Sequence, residues 1–165
     1  MTNLLILSSI VVGVYGALTL LNAAVPSVHL SRALRGRISL SFMFVFTAVG
    51  HFLVPEEMAQ MLPSFIPLRV EIIYLTGVLE ILGAIGLLIP GLERFSSIGL
   101  ILFLVGILPA NIYSSLNSVA FGGNALGPAY LLIRVPFQLF LIGWAYYFGI
   151  KLASEQRTWG RWIWA

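Results

Sequence analysis

Five apolar stretches, each close to the length needed to cross a bilayer, leave this chain of 165 residues few ways to fold. They run over about Leu4–Ala24, Ile38–Val54, Val70–Ile89, Phe95–Ser115 and Ala129–Ile150. A membrane-spanning helix needs about 20 such residues. Lipid offers no partner to backbone N–H and C=O groups, and the period-2 alternation of a membrane barrel is absent, so these stretches read as helices. Only 9% of residues are charged and 59% are hydrophobic, whereas a soluble domain carries about 25% charge. The expectation is one all-α membrane domain over residues 1–165, a bundle of four core transmembrane helices with an additional N-terminal transmembrane helix.

The charges sit between the spans. Arg32, Arg35 and Arg37 follow the first, Arg94 follows the third, and Lys151, Arg157 and Arg161 follow the fifth. These three regions fall on one side. The other side holds Glu56, Glu57, Arg69 and Glu71, then the uncharged loop Asn117–Gly127. The positive-inside rule places the N-terminus outside and the C-terminus in the cytoplasm, and the expected location is the bacterial inner membrane. The scattered cations argue for topology and against nucleic acid as a partner. The first span lacks a basic n-region and is long for a signal-peptide core, so it reads as a retained helix ended by Pro26. Ser27–Arg37 reads as a short interfacial helix with His29 on a wet face. Residues 55–68, with three prolines between Pro55 and Pro67, form an outer loop or lid. Residues 151–165, with Trp159, Trp162 and Trp164 among basic residues, read as a cytoplasmic interfacial tail. With no cysteine and no Asp, and only His29 and His51 as histidines, neither thiol chemistry nor a metal site is expected.

Within this apolar background four polar residues stand out. Glu80 lies mid-span in Val70–Pro90, where a charge costs at least about 2.5 kcal/mol on insertion scales. His51, Asn111 and Arg134 lie in the neighbouring spans. Once the spans are oriented, all four fall in the outer half of the membrane, which favours one pocket opening outward. Gly77, Gly83 and Ala84 neighbour Glu80 on its helix and leave room for a partner helix or ligand. Pro109 loosens the backbone just before Asn111. Gln138 is at i+4 from Arg134, and Tyr74 and Tyr113 can reach the rim. Plainer readings stand beside this one. In them Glu80 and Arg134 form a buried ion pair locking two helices, His51 is a histidine bonded to a carbonyl, and Asn111 makes an interhelical hydrogen bond.

The segments Gly50-His51-Phe52-Leu53-Val54-Pro55 and Gly77-Val78-Leu79-Glu80 resemble motifs of the DoxX-like membrane proteins. Pro109-Ala110-Asn111 and Arg134-Val135-Pro136-Phe137-Gln138 complete the resemblance, over about Ile38 to Ile150. The first helix is extra to that family's four-helix unit. The resemblance implies an association with quinone-linked oxidation systems, or a role like that of relatives that are membrane chaperones for receptor assembly. Two functions follow. In the first, an apolar ligand such as a quinone or isoprenoid binds, with Arg134, Asn111, Gln138, Tyr74 and Tyr113 holding its head and Glu80 and His51 relaying protons as catalytic residues. No resident cofactor is evident, and the only one expected is a membrane quinone as ligand. In the second, the chain is a non-enzymatic accessory subunit or assembly factor, with close-packing glycine faces for a membrane-protein partner or a second copy. Whether the chain is an enzyme stays open at this point.

Overall fold

In a computed structural model the structure describes residues 2–153 apart from residues 26 and 28, and all regular structure among them is helical. The helices are α1 (Thr2–Ala24), α2 (Arg32–Leu53), the short α3 (Pro55–Ala59), α4 (Arg69–Leu88), α5 (Glu93–Leu116) and α6 (Leu131–Tyr146). A 3₁₀ segment, Asn124–Tyr130, leads into α6, and a π-helical turn, Tyr147–Lys151, continues it. Five of these elements are long and apolar enough to cross a membrane, counting Asn124–Lys151 as one. The expected end of the first helix at Pro26 and the tryptophan-rich tail lie outside the described residues.

The expected interfacial helix before the second span does not form. Ser31 caps α2 by accepting from the Leu34 N–H at 3.2 Å, so the helix starts at Arg32. Ala33, Gly36, Leu40, Met43 and Phe44 then continue one buried face at helical spacing into the span. The Asn22 side chain accepts from the Leu30 N–H at 2.7 Å and ties down the turn from α1. The last span departs from a single helix as well. Gly127, at φ 68° and ψ −155°, breaks it from the preceding 3₁₀ segment, a conformation that favours glycine.

Side chains are distributed in reverse of a water-soluble domain. Leu75, Leu82, Leu102, Leu132 and Leu139 point outward and are more than half exposed, while Glu80, His51, Asn111 and Gln138 are at most 7% exposed. The apolar core of Leu40, Met43, Phe44, Leu87, Leu100 and Leu104 lies between α2, α4 and α5. The first helix is the least integrated. In its apolar window 11% of residues are buried, against 44% in α2.

Antiparallel succession gives the bundle two distinct ends. One gathers the C-terminal part of α2, the N-terminal part of α4, the C-terminal part of α5 and the start of α6. At the other, Arg37 Nη1 lies 3.9 Å from the buried Glu93 Oε2. The Gly91 N–H donates to that same oxygen. Trp144 Nε1 donates to the Gly36 carbonyl at 2.9 Å, and its ring packs with Tyr15 and Phe148. Gly36 fits against the Phe148 ring and Gly149 against Ser97, where a Cβ would collide.

Candidate functional site: a polar cavity at one end of the bundle

The first end encloses a cavity of about 680 Å³. That is within the range of small-molecule sites, about 300–1,000 Å³. Most of the wall is apolar. Leu4, Ile6 and Leu7 of α1 form part of it, and Phe103 and Ile107 of α5 face inward. Met58, Met61 and Leu62 roof it from the segment expected to be a lid, and Phe121 comes from the opposite loop. The polar lining is concentrated in two groups.

The first group joins α2 to α4. His51 Nε2 is 3.6 Å from Glu80 Oε2, within ion-pair reach but longer than a hydrogen bond. Thr47 Oγ1 donates to Glu80 Oε2 at 2.9 Å. On the other side of the imidazole, Nδ1 meets the Ile73 carbonyl at 2.9 Å and the Thr76 hydroxyl at 3.0 Å. The Ile73 oxygen can only accept, and the Thr76 hydroxyl already donates to it at 2.8 Å. The network therefore assigns the hydrogen to Nδ1. In a neutral ring Nε2 then presents a lone pair to Glu80, and lone pair against carboxylate is repulsive. A proton on either Glu80 or Nε2 relieves this.

This arrangement follows from local spacing. Thr47 and His51 are four apart on α2, as are Thr76 and Glu80 on α4, so each pair shares a helix face. The two pairs cross, Thr47 serving Glu80 and Thr76 serving His51. Gly77 makes the approach possible, because a Cβ there would lie 2.7 Å from His51 Cβ. That is the close packing expected of the glycine, spent on placing the histidine.

The second group joins α5 to α6. Arg134 Nη2 donates to Asn111 Oδ1 at 3.3 Å, and Asn111 Nδ2 donates to Gln138 Oε1 at 3.2 Å. Gln138 Nε2 in turn donates to the Leu104 carbonyl. The guanidinium also bonds the Tyr130 side chain, whose own hydroxyl proton goes to the Gly122 carbonyl at 2.6 Å. Tyr130 and Arg134 are again four apart.

The structure thus brings His51, Glu80, Asn111 and Arg134 to one cavity. Three expectations are corrected. Glu80 and Arg134 form no contact ion pair. The carboxylate turns to α2, where Thr47 and His51 meet it, and the guanidinium acts on it only through space. Gln138 stands behind Asn111 and orients it without lining the cavity. Tyr74 and Tyr113 are not part of the lining. Tyr74 points outward and stacks on Phe52 at 5.9 Å, because position 74 lies on the opposite face of α4 from Ile73 and Glu80. The uncharged Asn117–Gly127 loop contributes the buried Asn124, which accepts from Ser115 Oγ at 2.8 Å. Thr47, Thr76 and Tyr130 were not singled out from the sequence. The signal was their position four residues before His51, Glu80 and Arg134. No cluster of metal-binding side chains occurs among the described residues.

A family model of a domain of unknown function, DUF8561, matches residues 40–149. The chain belongs to this family. The matched DUF8561 region contains both polar groups, the roof segment and the loop carrying Asn124, and it begins inside α2, so the α1 wall lies outside it. No curated protein and no solved structure matches the chain.

Proposed function

We propose that this DUF8561 protein is an integral membrane protein that binds a small apolar ligand by its oxygen-bearing head in the cavity described above. The observation that carries the reading is the coincidence in one mostly apolar cavity of a His51–Glu80 pair and an Arg134–Asn111 pair on separate helix seams. A scaffold has no use for buried polar groups aimed at an empty volume, and their burial is costly. The outward leucines support insertion in a bilayer, since an apolar surface of that extent is an association liability in water. The basic residues at the Arg37–Glu93 end support placing that end in the cytoplasm and the cavity on the outer side of a bacterial inner membrane.

Ligands of the quinone or isoprenoid class fit a roomy apolar cavity with polar groups at one place. Arg134 supplies N–H donors to an oxygen, and the His51–Glu80 pair gives or takes one proton. The DoxX-like motifs fall on the same residues, which supports a kinship with quinone-linked systems. The test is native mass spectrometry of protein extracted from its own membrane, with extraction of what co-purifies. A stoichiometric apolar molecule is expected, lost in Arg134→Ala. A chain carrying only bulk phospholipid and another polypeptide would move the reading to an accessory subunit or assembly factor.

A further inference from the structure

The cation lining the cavity has no contact anion among the described residues. Three of its side chains, His51, Glu80 and Arg134, carry or can take a charge near neutral pH. A guanidinium stays protonated in any protein setting. Glu80, the carboxylate in the lining, turns to Thr47 and His51 and makes no contact with Arg134. Arg134 is therefore a positive charge on a mostly apolar cavity wall with no carboxylate in contact with it. Among the described residues no carboxylate touches it, and its contacts are the neutral Asn111 and Tyr130 side chains. Neither polar pair relieves this from within. A buried cation without a contact anion is expensive.

The donors are unevenly committed too. The Tyr130 proton is spent on the Gly122 carbonyl, the Asn111 amide donates to Gln138, and the Thr47 hydroxyl donates to Glu80. A guanidinium has five N–H donors in a planar fork. Asn111 Oδ1 and Tyr130 occupy part of that fork. Arg134 is thus the charged donor in the lining with N–H groups to spare, and its geometry suits two oxygens of one group.

Resting on the ligand-cavity reading, we infer that the ligand's head is an oxygen acid bound as its anion, with Arg134 as counter-ion and an apolar chain along the Leu4, Leu7, Phe103 and Ile107 wall. Amphiphilic carboxylic acids and acidic enols or phenols belong to this class. Neutral alcohols, ethers and amines do not. The ligand anion then supplies the contact counter-charge, and the pairing strengthens as the roof of Met58, Met61 and Leu62 excludes water.

The experiment compares laurate with dodecanol, equal in chain length and different in head charge. The full chain in phosphatidylcholine nanodiscs is titrated with each, and binding to empty discs is subtracted. Laurate is expected to bind at least about tenfold more tightly than dodecanol, a difference of about 1.4 kcal/mol. Arg134→Lys retains that preference, and Arg134→Gln abolishes it. Equal affinities in the unmodified protein would overturn the anionic head and leave the ligand cavity standing. Binding of neither amphiphile would overturn both. The unmodified comparison needs no variant, so a variant that fails to fold does not blunt the test.

Discussion

Among the described residues two carboxylates are buried, Glu80 and Glu93, and they have opposite surroundings. Glu93, at the start of α5, faces Arg37 and takes the Gly91 N–H, while the nearby glycines draw Phe148 and Ser97 in close. Glu80, midway along α4, has one threonine and one histidine nitrogen, and it lines the cavity. The same side chain at similar burial is a clamp in one place and part of a cavity wall in the other. What differs is whether the fold supplies a full-time counter-charge and closes the space around it. A buried carboxylate in an apolar chain is therefore not in itself a sign of function. The sign is a buried carboxylate with a weak partner and room beside it.

The comparison breaks most easily at the clamp. Glu93→Ala removes the Arg37 counter-charge, and breaking a buried pair from one side costs about 3 kcal/mol. A large fall in thermal stability is expected by circular dichroism or fluorescence melting, with ligand binding lost only in proportion to unfolding. A stability unchanged by this substitution would erase the contrast between the two ends. Gly77→Ala probes the seam between them. Its Cβ would sit 2.7 Å from His51 Cβ, and such overpacking costs about 2 kcal/mol. Here melting temperature and ligand retention should both fall, because the helices must separate at the histidine itself. The smallest effect on stability belongs to Glu80→Gln. The amide oxygen still accepts from Thr47, so the melting temperature should shift by the equivalent of less than about 1 kcal/mol. Proton exchange with His51 is lost, so any turnover or proton-linked binding should vanish, as it should in His51→Ala. If Glu80→Gln instead melts like Glu93→Ala, Glu80 is a clamp too.

Much of this was legible in the chain. The spans follow from unbroken apolar length, and the agreement of His51, Glu80, Asn111 and Arg134 in depth follows from reading alternate spans in opposite directions. The cavity polarity was therefore visible before any packing. The pairing within it was not. Glu80 facing Arg134 is the natural guess from opposite charge, but α2 approaches α4 across Gly77, and nearness decided for His51. Glu93 escaped notice because it stands beside Arg94 at a loop, where charges are ordinary. Its burial depends on Arg37 and the far end of α6, long-range packing that no local pattern encodes. Tyr74 erred through helical phase, since one residue of rotation separates the inward Ile73 from an outward ring.

The first helix has a consequence of another kind. Residues 40–149 carry the shared family pattern, yet Leu4, Ile6 and Leu7 complete the cavity from outside it. The polar groups therefore lie wholly within the family-matched residues, whereas one side of the apolar wall lies outside them. Substitutions in α1 can lengthen, narrow or tilt that side of the cavity without disturbing a single proton or charge.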